Sequence, residues 1–117
     1  MQEAKKEYMR SYEVQDNPFA RMKLAVILLE EERPLEAISQ IETAFSLPGA
    51  DRALTMESKS LGRYMLAVAY AKKGDLARAR TEATRALSFD PASQDIKDLL
   101  QQIDSAVEAQ SRRSNQR

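Results

Sequence analysis

The feature that most constrains the fold is an internal repeat with an offset of 42 residues. Shifting the chain by this offset places apolar residues of the first half on apolar residues of the second. The aligned pairs are Leu24 with Leu66, Ala25 with Ala67, Leu28 with Tyr70, Ala37 with Ala79, Ile41 with Ala83 and Ala44 with Ala86. Small and large residues recur where two antiparallel helices must touch, a spacing that indicates stacked helical hairpins.

Start and stop signals divide the chain into helices. Asp16-Asn17 followed by Pro18 predicts a helix start, because a capping side chain precedes a proline whose fixed φ suits the first turn. Gly74-Asp75 predicts a glycine stop followed at once by a new cap. The predicted helices are 19–31, 34–47, 51–73 with Asp51 as its cap, 75–88 and 94–110. No segment alternates with a period of two, so no sheet is expected.

The two ends differ from the centre. Residues 2–15 are a weaker helix candidate, and residues 111–117 form a polar, basic tail that is expected to fray. The chain therefore divides into an N-terminal arm or helix (1–16), two helical hairpins (17–93), a capping helix (94–110) and a flexible tail (111–117). The capping helix carries one apolar stripe, formed by Ile96, Leu99, Leu100, Ile103, Ala106 and Val107.

The repeated residues resemble the tetratricopeptide repeat family, and residues 60–93 give the closer match. Leu66-Ala67-x-x-Tyr70 corresponds to the Leu-Gly-x-x-Tyr of that family and Lys73-Gly74-Asp75 to its turn, followed by Ala79, Ala86 and Pro91 at the later positions. The first copy, 18–51, keeps Leu24, Ala25, Ala37 and Ala44 but has Glu32-Arg33 in the turn. The resemblance implies an all-α fold of antiparallel hairpins in a right-handed superhelical stack.

Two features depart from the family pattern. Arg21 and Arg63 stand where the family has an early Trp. The copies lie 42 residues apart rather than about 34, so that about eight residues, near 50–57, lengthen the linker or the third helix.

The composition argues against catalysis. The sequence contains no Cys and no His, which removes most zinc and iron sites, disulfides, thiol catalysis and histidine acid–base chemistry. Its three Gly are isolated, so no phosphate-binding loop is present. Glu30-Glu31-Glu32 lacks the glycine turn of a cation loop and is interpreted as a solvated helix end. We expect a protein that is not an enzyme and that uses neither cofactor nor metal.

Charge and hydropathy restrict the partners. The net charge of zero gives no general attraction to nucleic acid, and the basic segment around Arg78, Arg80 and Arg85 lacks interleaved aromatic residues. The longest apolar runs, 24–29 and 65–71, are too short to span a membrane. We expect no nucleic-acid partner, no membrane insertion by this chain and a cytoplasmic location, whether the chain is whole or part of a larger or anchored protein.

A second apolar stripe suggests a binding surface. Each first helix of a hairpin is apolar on two sides, which is unusual for a surface helix. In the resembling family this extra stripe lines a concave groove for partner peptides, but Met22 and Val26 replace the Lys and Asn that clamp the C-terminal carboxylate of heat-shock chaperones. The candidate groove residues are Phe19, Met22, Val26, Leu29, Tyr64 and Val68, with Leu61 and Ala71 at the remaining equivalent positions.

The sequence thus predicts a non-catalytic adaptor or scaffold that binds a helix or an extended peptide in an apolar groove. Self-association through the same groove, giving a structural oligomer, is the first alternative. The layout also resembles the soluble domain of the mitochondrial fission adaptor, without the membrane anchor of that family. Residues 2–15 are a further candidate to cover the groove as part of the core.

Overall fold

The computed structural model describes residues 17–115, and this range is entirely helical apart from short connections. Its helices are α1 (Pro18–Glu30), α2 (Pro34–Ser46), α3 (Ala50–Ala53), α4 (Met56–Lys72), α5 (Leu76–Phe89) and α6 (Gln94–Asn115). No strand occurs in the described range, and the predicted all-α fold is confirmed. The predicted N-terminal arm, 1–16, and residues 116–117 of the predicted tail lie outside it.

Side-chain caps fix the starts of α1, α4 and α5. The Asn17 side chain accepts a hydrogen bond from the backbone N–H of Ala20 at 2.8 Å, and Asp75 accepts one from the N–H of Arg78 at 3.1 Å. Asp75 is the cap predicted from the sequence, and Asn17 belongs to the predicted capping pair Asp16-Asn17. Each satisfies a backbone donor that the first turn of a helix leaves without a partner.

The turns inside the two hairpins have the same backbone geometry. In the first, the N–H groups of Glu32 and Arg33 donate to carbonyls three and five residues earlier, at 3.1 and 2.9 Å. In the second, Gly74 and Asp75 make the same two bonds at 3.1 and 2.9 Å. This is the Schellman arrangement, which requires a left-handed residue after the helix. Gly74 (φ 91°) and Glu32 (φ 59°) supply it, as the sequence predicts for Gly74.

The connection between the hairpins differs from the prediction. The third predicted helix, 51–73, is interrupted: α3 makes a single turn after left-handed Gly49, Leu54 is extended, and α4 begins after Thr55. Thr55 caps α4 by accepting from the N–H of Ser58 at 3.1 Å, so Asp51 is not the cap. The physical reason is burial, because the extended residue places the Leu54 side chain in the core.

The hairpins pack as α1 against α2 and α4 against α5, and α2 packs against α4 to join them. Four alanines of the aligned positions, Ala25, Ala37, Ala67 and Ala79, are fully buried in the core. Larger side chains belong to the same core cluster, including Leu24, Leu28, Ile41, Met65, Leu66 and Tyr70. The core is therefore continuous across both hairpins.

Helix α6 closes the second hairpin by packing mainly on α5 and to a smaller extent on α4. Of its predicted apolar stripe, Ile96, Leu99 and Ile103 are buried, whereas Val107 is exposed. The Ser93 hydroxyl accepts from the N–H of Ile96 at 3.3 Å at the start of the helix. The helix continues to Asn115, five residues beyond the predicted end at Gln110.

Candidate partner-binding groove

The apolar stripe of α1 is divided between surface and core. Phe19 and Val26 are 43% and 39% exposed, and Leu29 is half-buried. Met22 is only 6% exposed. Phe19 and Val26 lie seven residues apart and therefore share one face of the helix. That face presents apolar surface to solvent, although Met22 at its centre does not.

Met22 is buried because α1 approaches α4 closely at Gly62. A Cβ atom placed on Gly62 would lie 2.6 Å from Met22 Cε and 2.6 Å from Phe45 Cζ. The absent side chain thus leaves a notch that the ends of these two side chains fill. Met22 contributes to packing between the hairpins, which corrects its predicted place on an exposed groove.

The equivalent stripe of α4 is also partly exposed. Leu61 is 51% exposed, and Tyr64, Val68 and Ala71 are half-buried against the core. Because α1 and α4 contact each other, their exposed apolar faces lie on neighbouring helices. We define the groove as the surface formed by Phe19, Val26, Leu29, Leu61, Tyr64, Val68 and Ala71.

Arg21 and Arg63, which stand where the repeat family has Trp, make equivalent side-chain hydrogen bonds. The guanidinium of Arg21 donates to the side-chain oxygen of Gln40 at 2.9 Å, and that of Arg63 donates to a carboxylate oxygen of Glu82 at 2.9 Å. Each bridge joins the first helix of a hairpin to the second, and the two bridges are related by the offset of 42 residues. The two arginines depart from the family pattern, but their interactions recur with the same offset as the apolar core.

Arg63 connects the two hairpins through a second contact. Its guanidinium carbon lies 4.3 Å from the centroid of the Phe45 ring, a distance typical of a cation–π interaction. Its partner Glu82 is 7% exposed and also accepts from Arg85 at 2.9 Å. Two cations thus compensate the buried carboxylate, whose burial alone would be costly. The sequence contained no signal for this contact between hairpins.

A pocket of about 320 Å³ continues the groove toward α6. Leu61, Tyr64 and Ile96 supply its apolar lining, and Ser60 and Ser93 contribute hydroxyl groups. Ser60 donates to the carbonyl of Ala86 at 3.0 Å, so its hydroxyl is engaged in packing α4 against α5. The remaining lining residues are three carboxylates, Glu57, Asp90 and Asp95.

Sequence reasoning missed this pocket because three separate segments form it. Glu57 lies in the first turn of α4, Asp90 follows α5 and Asp95 lies in the first turn of α6. In the sequence Glu57 and Asp95 can be explained by their own helix starts, since negative charge is favourable at a helix N-terminus, and Asp90 by the Asp90-Pro91 stop after α5. Only the packing of α4, α5 and α6 brings them around one cavity.

Away from the groove, the turn between α1 and α2 is polar and ion-paired. The Lys72 ammonium nitrogen lies 3.2 Å from a carboxylate oxygen of Glu32, and this ion pair links the two turns. A guanidinium nitrogen of Arg33 lies 2.6 Å from a carboxylate oxygen of Glu36. The hydrogen bond to Glu36 raises the pKa of the Arg33 guanidinium above its ordinary value. Leu35, 64% exposed, is an apolar side chain next to this turn and outside the groove.

Among the described residues, neither a metal site nor a membrane span is found. Between residues 17 and 115, no three acidic side chains are arranged to hold a metal ion. No helix within the same range is long and apolar enough to cross a membrane.

Comparison with known proteins identifies the second hairpin. Residues 62–93 match the family model of the tetratricopeptide repeat, which confirms the resemblance of the second copy; the resemblance of the first copy stays a prediction. No curated protein matches the chain. Tetratricopeptide repeats are protein-interaction modules, and the match supports this general role for the domain.

Proposed function

We propose that this protein is a non-catalytic adaptor that binds a helix or an extended segment of a partner protein in the groove between α1 and α4. The observation that carries the proposal is the exposure of Phe19, Val26 and Leu61 on helices whose other faces are already buried in the core. Exposed large apolar side chains that lie together mark interaction surfaces in soluble proteins. The tetratricopeptide match at 62–93 independently favours protein binding.

The shape of the surface favours a segment of chain over a small molecule. Two neighbouring helices each present a row of apolar side chains with helical spacing. Such a surface suits an amphipathic helix, which places its anchors at intervals of three and four residues. Half-buried Leu29, Tyr64 and Val68 provide a rigid floor because they also pack against the core. A preorganised floor lowers the entropic cost of binding.

The test compares two double variants with equal added charge. In the groove variant, Val26→Glu and Leu61→Glu place carboxylates on the exposed stripe. In the control variant, Leu35→Glu and Met56→Glu change two exposed apolar side chains outside the groove, which are 64% and 58% exposed against 39% and 51% for Val26 and Leu61. Both variants are expected to stay folded, with similar circular dichroism spectra and thermal midpoints, because none of the four side chains is buried.

Each variant serves as bait beside the wild type, and bound proteins are identified by mass spectrometry. We expect the control to retain the partners of the wild type and the groove variant to lose them, because a buried unpaired carboxylate is costly. Partners retained by both variants would contradict the proposal. Sedimentation at several concentrations tests whether a second copy of the chain occupies the groove. A dimer that forms in the wild type and the control but not in the groove variant would assign the surface to self-association.

A further inference from the structure

We propose that the pocket between α4 and α6 receives a lysine or arginine of the bound partner segment, next to an apolar residue that packs on Leu61. This inference rests on the proposed function and adds the chemical character of the partner. The pocket shares Leu61 and Tyr64 with the groove, so a segment lying in the groove reaches it without leaving the surface. The occupant is thus a peptide segment that is both apolar and basic.

The negative charge of the pocket favours a basic side chain as its occupant. Glu57, Asp90 and Asp95 line it together, and no Lys or Arg among residues 17–115 forms an ion pair with any of the three. Most other carboxylates in that range are paired, including Asp51, Asp75, Glu82, Asp104 and Glu108. The negative charge at this end of the groove is therefore left for a partner to complement.

The apolar lining of the pocket favours a side chain with a long aliphatic stem. Helix termini can account for Glu57 and Asp95, since both lie in the first turns of helices. They do not account for an exposed leucine and a half-buried tyrosine between the carboxylates. A lysine or arginine side chain fits such a lining, because its aliphatic stem can cover apolar surface while its charged end reaches the carboxylates. The Tyr64 ring offers a face for a cation–π contact with the same charged group.

A free metal ion does not suit the pocket. The three carboxylates are not close enough together to form a cation site, since no group of three acidic side chains in residues 17–115 is so arranged. A volume of about 320 Å³ is also far larger than one ion requires. The dimensions instead match a long side chain that spans the distance between separated charges.

The experiment uses the whole chain and a phage-displayed library of random 16-residue peptides. Peptides enriched on the wild type are synthesised, and their affinities are measured by fluorescence anisotropy. We expect enriched peptides to carry Lys or Arg within four positions of Leu, Ile, Met or Phe. Neutralising the pocket with Glu57→Gln, Asp90→Asn and Asp95→Asn should weaken binding roughly 3- to 30-fold, as expected for a few partly exposed charge pairs.

The matched control is Asp98→Asn, which removes an exposed carboxylate of α6 that does not line the pocket. It should change the affinity less than about twofold. Raising the salt concentration should weaken peptide binding to the wild type much more than to the neutralised variant, because salt screens charge interactions. Should the neutralised variant fail to fold, replacing the basic residue of the peptide by Gln gives the same test on the wild-type protein.

The outcomes separate this inference from the proposed function. If peptides bind and lose affinity with Val26→Glu and Leu61→Glu, but show neither basic enrichment nor sensitivity to neutralisation, the groove stands and the basic specificity is wrong. If no peptide is enriched, or if enriched peptides bind the groove variant unchanged, both proposals are wrong. Basic enrichment together with loss on neutralisation supports both.

Discussion

Glu32 and Gly74 occupy the same position in two equivalent turns, and only one of these residue types suits it. Both have positive φ, 59° for Glu32 and 91° for Gly74. A Cβ atom is sterically unfavourable at positive φ, and glycine has no Cβ atom. The first turn therefore holds its geometry at a conformational cost that the second does not bear.

We predict opposite effects for the two exchanges at this position. Glu32→Gly should stabilise the protein by about 0.5–1 kcal/mol, and Gly74→Val should destabilise it by about 1–3 kcal/mol. Thermal midpoints followed by circular dichroism would show these changes as shifts of several degrees. Glu32→Ala serves as the control, because it removes the ion pair with Lys72 but keeps the cost of a side chain. A Glu32→Gly midpoint equal to that of Glu32→Ala would refute the explanation.

Gly62 has a different role, since it lies within α4 and provides space for neighbouring side chains. Alanine is the better helix former by about 1 kcal/mol, so Gly62→Ala would stabilise an isolated helix. Here its Cβ would lie 2.6 Å from both Met22 Cε and Phe45 Cζ. Met22 can move, but the Phe45 ring is rigid and lies against Arg63.

We therefore predict that Gly62→Ala lowers the free energy of unfolding by about 1–3 kcal/mol, the usual cost of overpacking. Denaturant titration measures the change. Met22→Ala removes one of the two clashing side chains, so the double variant should be more stable than the sum of the single effects indicates. An increase in stability on Gly62→Ala would mean that the hairpins are not in such close contact.

At the scale of the elements, α6 completes a structure that the two hairpins do not complete alone. Its buried residues Ile96, Leu99 and Ile103 pack chiefly against α5. Without this helix, the outer face of α5 would expose apolar surface to solvent. Stacked helical hairpins require such terminal helices for solubility, and two hairpins are fewer than the usual minimum of three.

We predict that truncation after Ser93 gives an unfolded or aggregating product. Burial of one aliphatic side chain contributes roughly 1.5–3 kcal/mol, and three such losses are comparable to the whole stability of a small domain. Size-exclusion chromatography and thermal melting of residues 1–93 check this result. Truncation after Gln110 is the control, because the described side chains that it removes, 111–114, are exposed. A soluble fragment 1–93 with a cooperative melt would contradict the prediction.

At the scale of the whole molecule, the sequence predicts what depends on short distances along the chain. Caps such as Asn17 and Asp75 and the stop at Gly74 act within a few residues, so the hairpins follow from local patterns. The interruption before α4 could not be predicted in this way, because burial of Leu54 in the core determines it. The notch at Gly62 also depends on contact between hairpins.

The groove was partly predictable for the same reason. Helical spacing alone places Phe19, Val26, Leu61 and Val68 on a second apolar face, and the structure leaves that face partly exposed. Helical spacing could not show that Met22 is buried while Phe19 and Val26 are exposed, because the burial of Met22 depends on Gly62 in another helix. The acidic pocket required the relative placement of three helices, which no repeat alignment supplies.

The three-residue turns inside the hairpins have a consequence for how the chain reaches its structure. Within each hairpin the two packed helices are neighbours in sequence, so little chain entropy is lost when the turn closes between them. Proteins dominated by such local contacts fold within microseconds to milliseconds. We therefore expect each hairpin to form from its local contacts before the packing of Met22 and Phe45 against Gly62 joins the two hairpins. We therefore expect changes at this junction to alter the speed of assembly as well as its final stability.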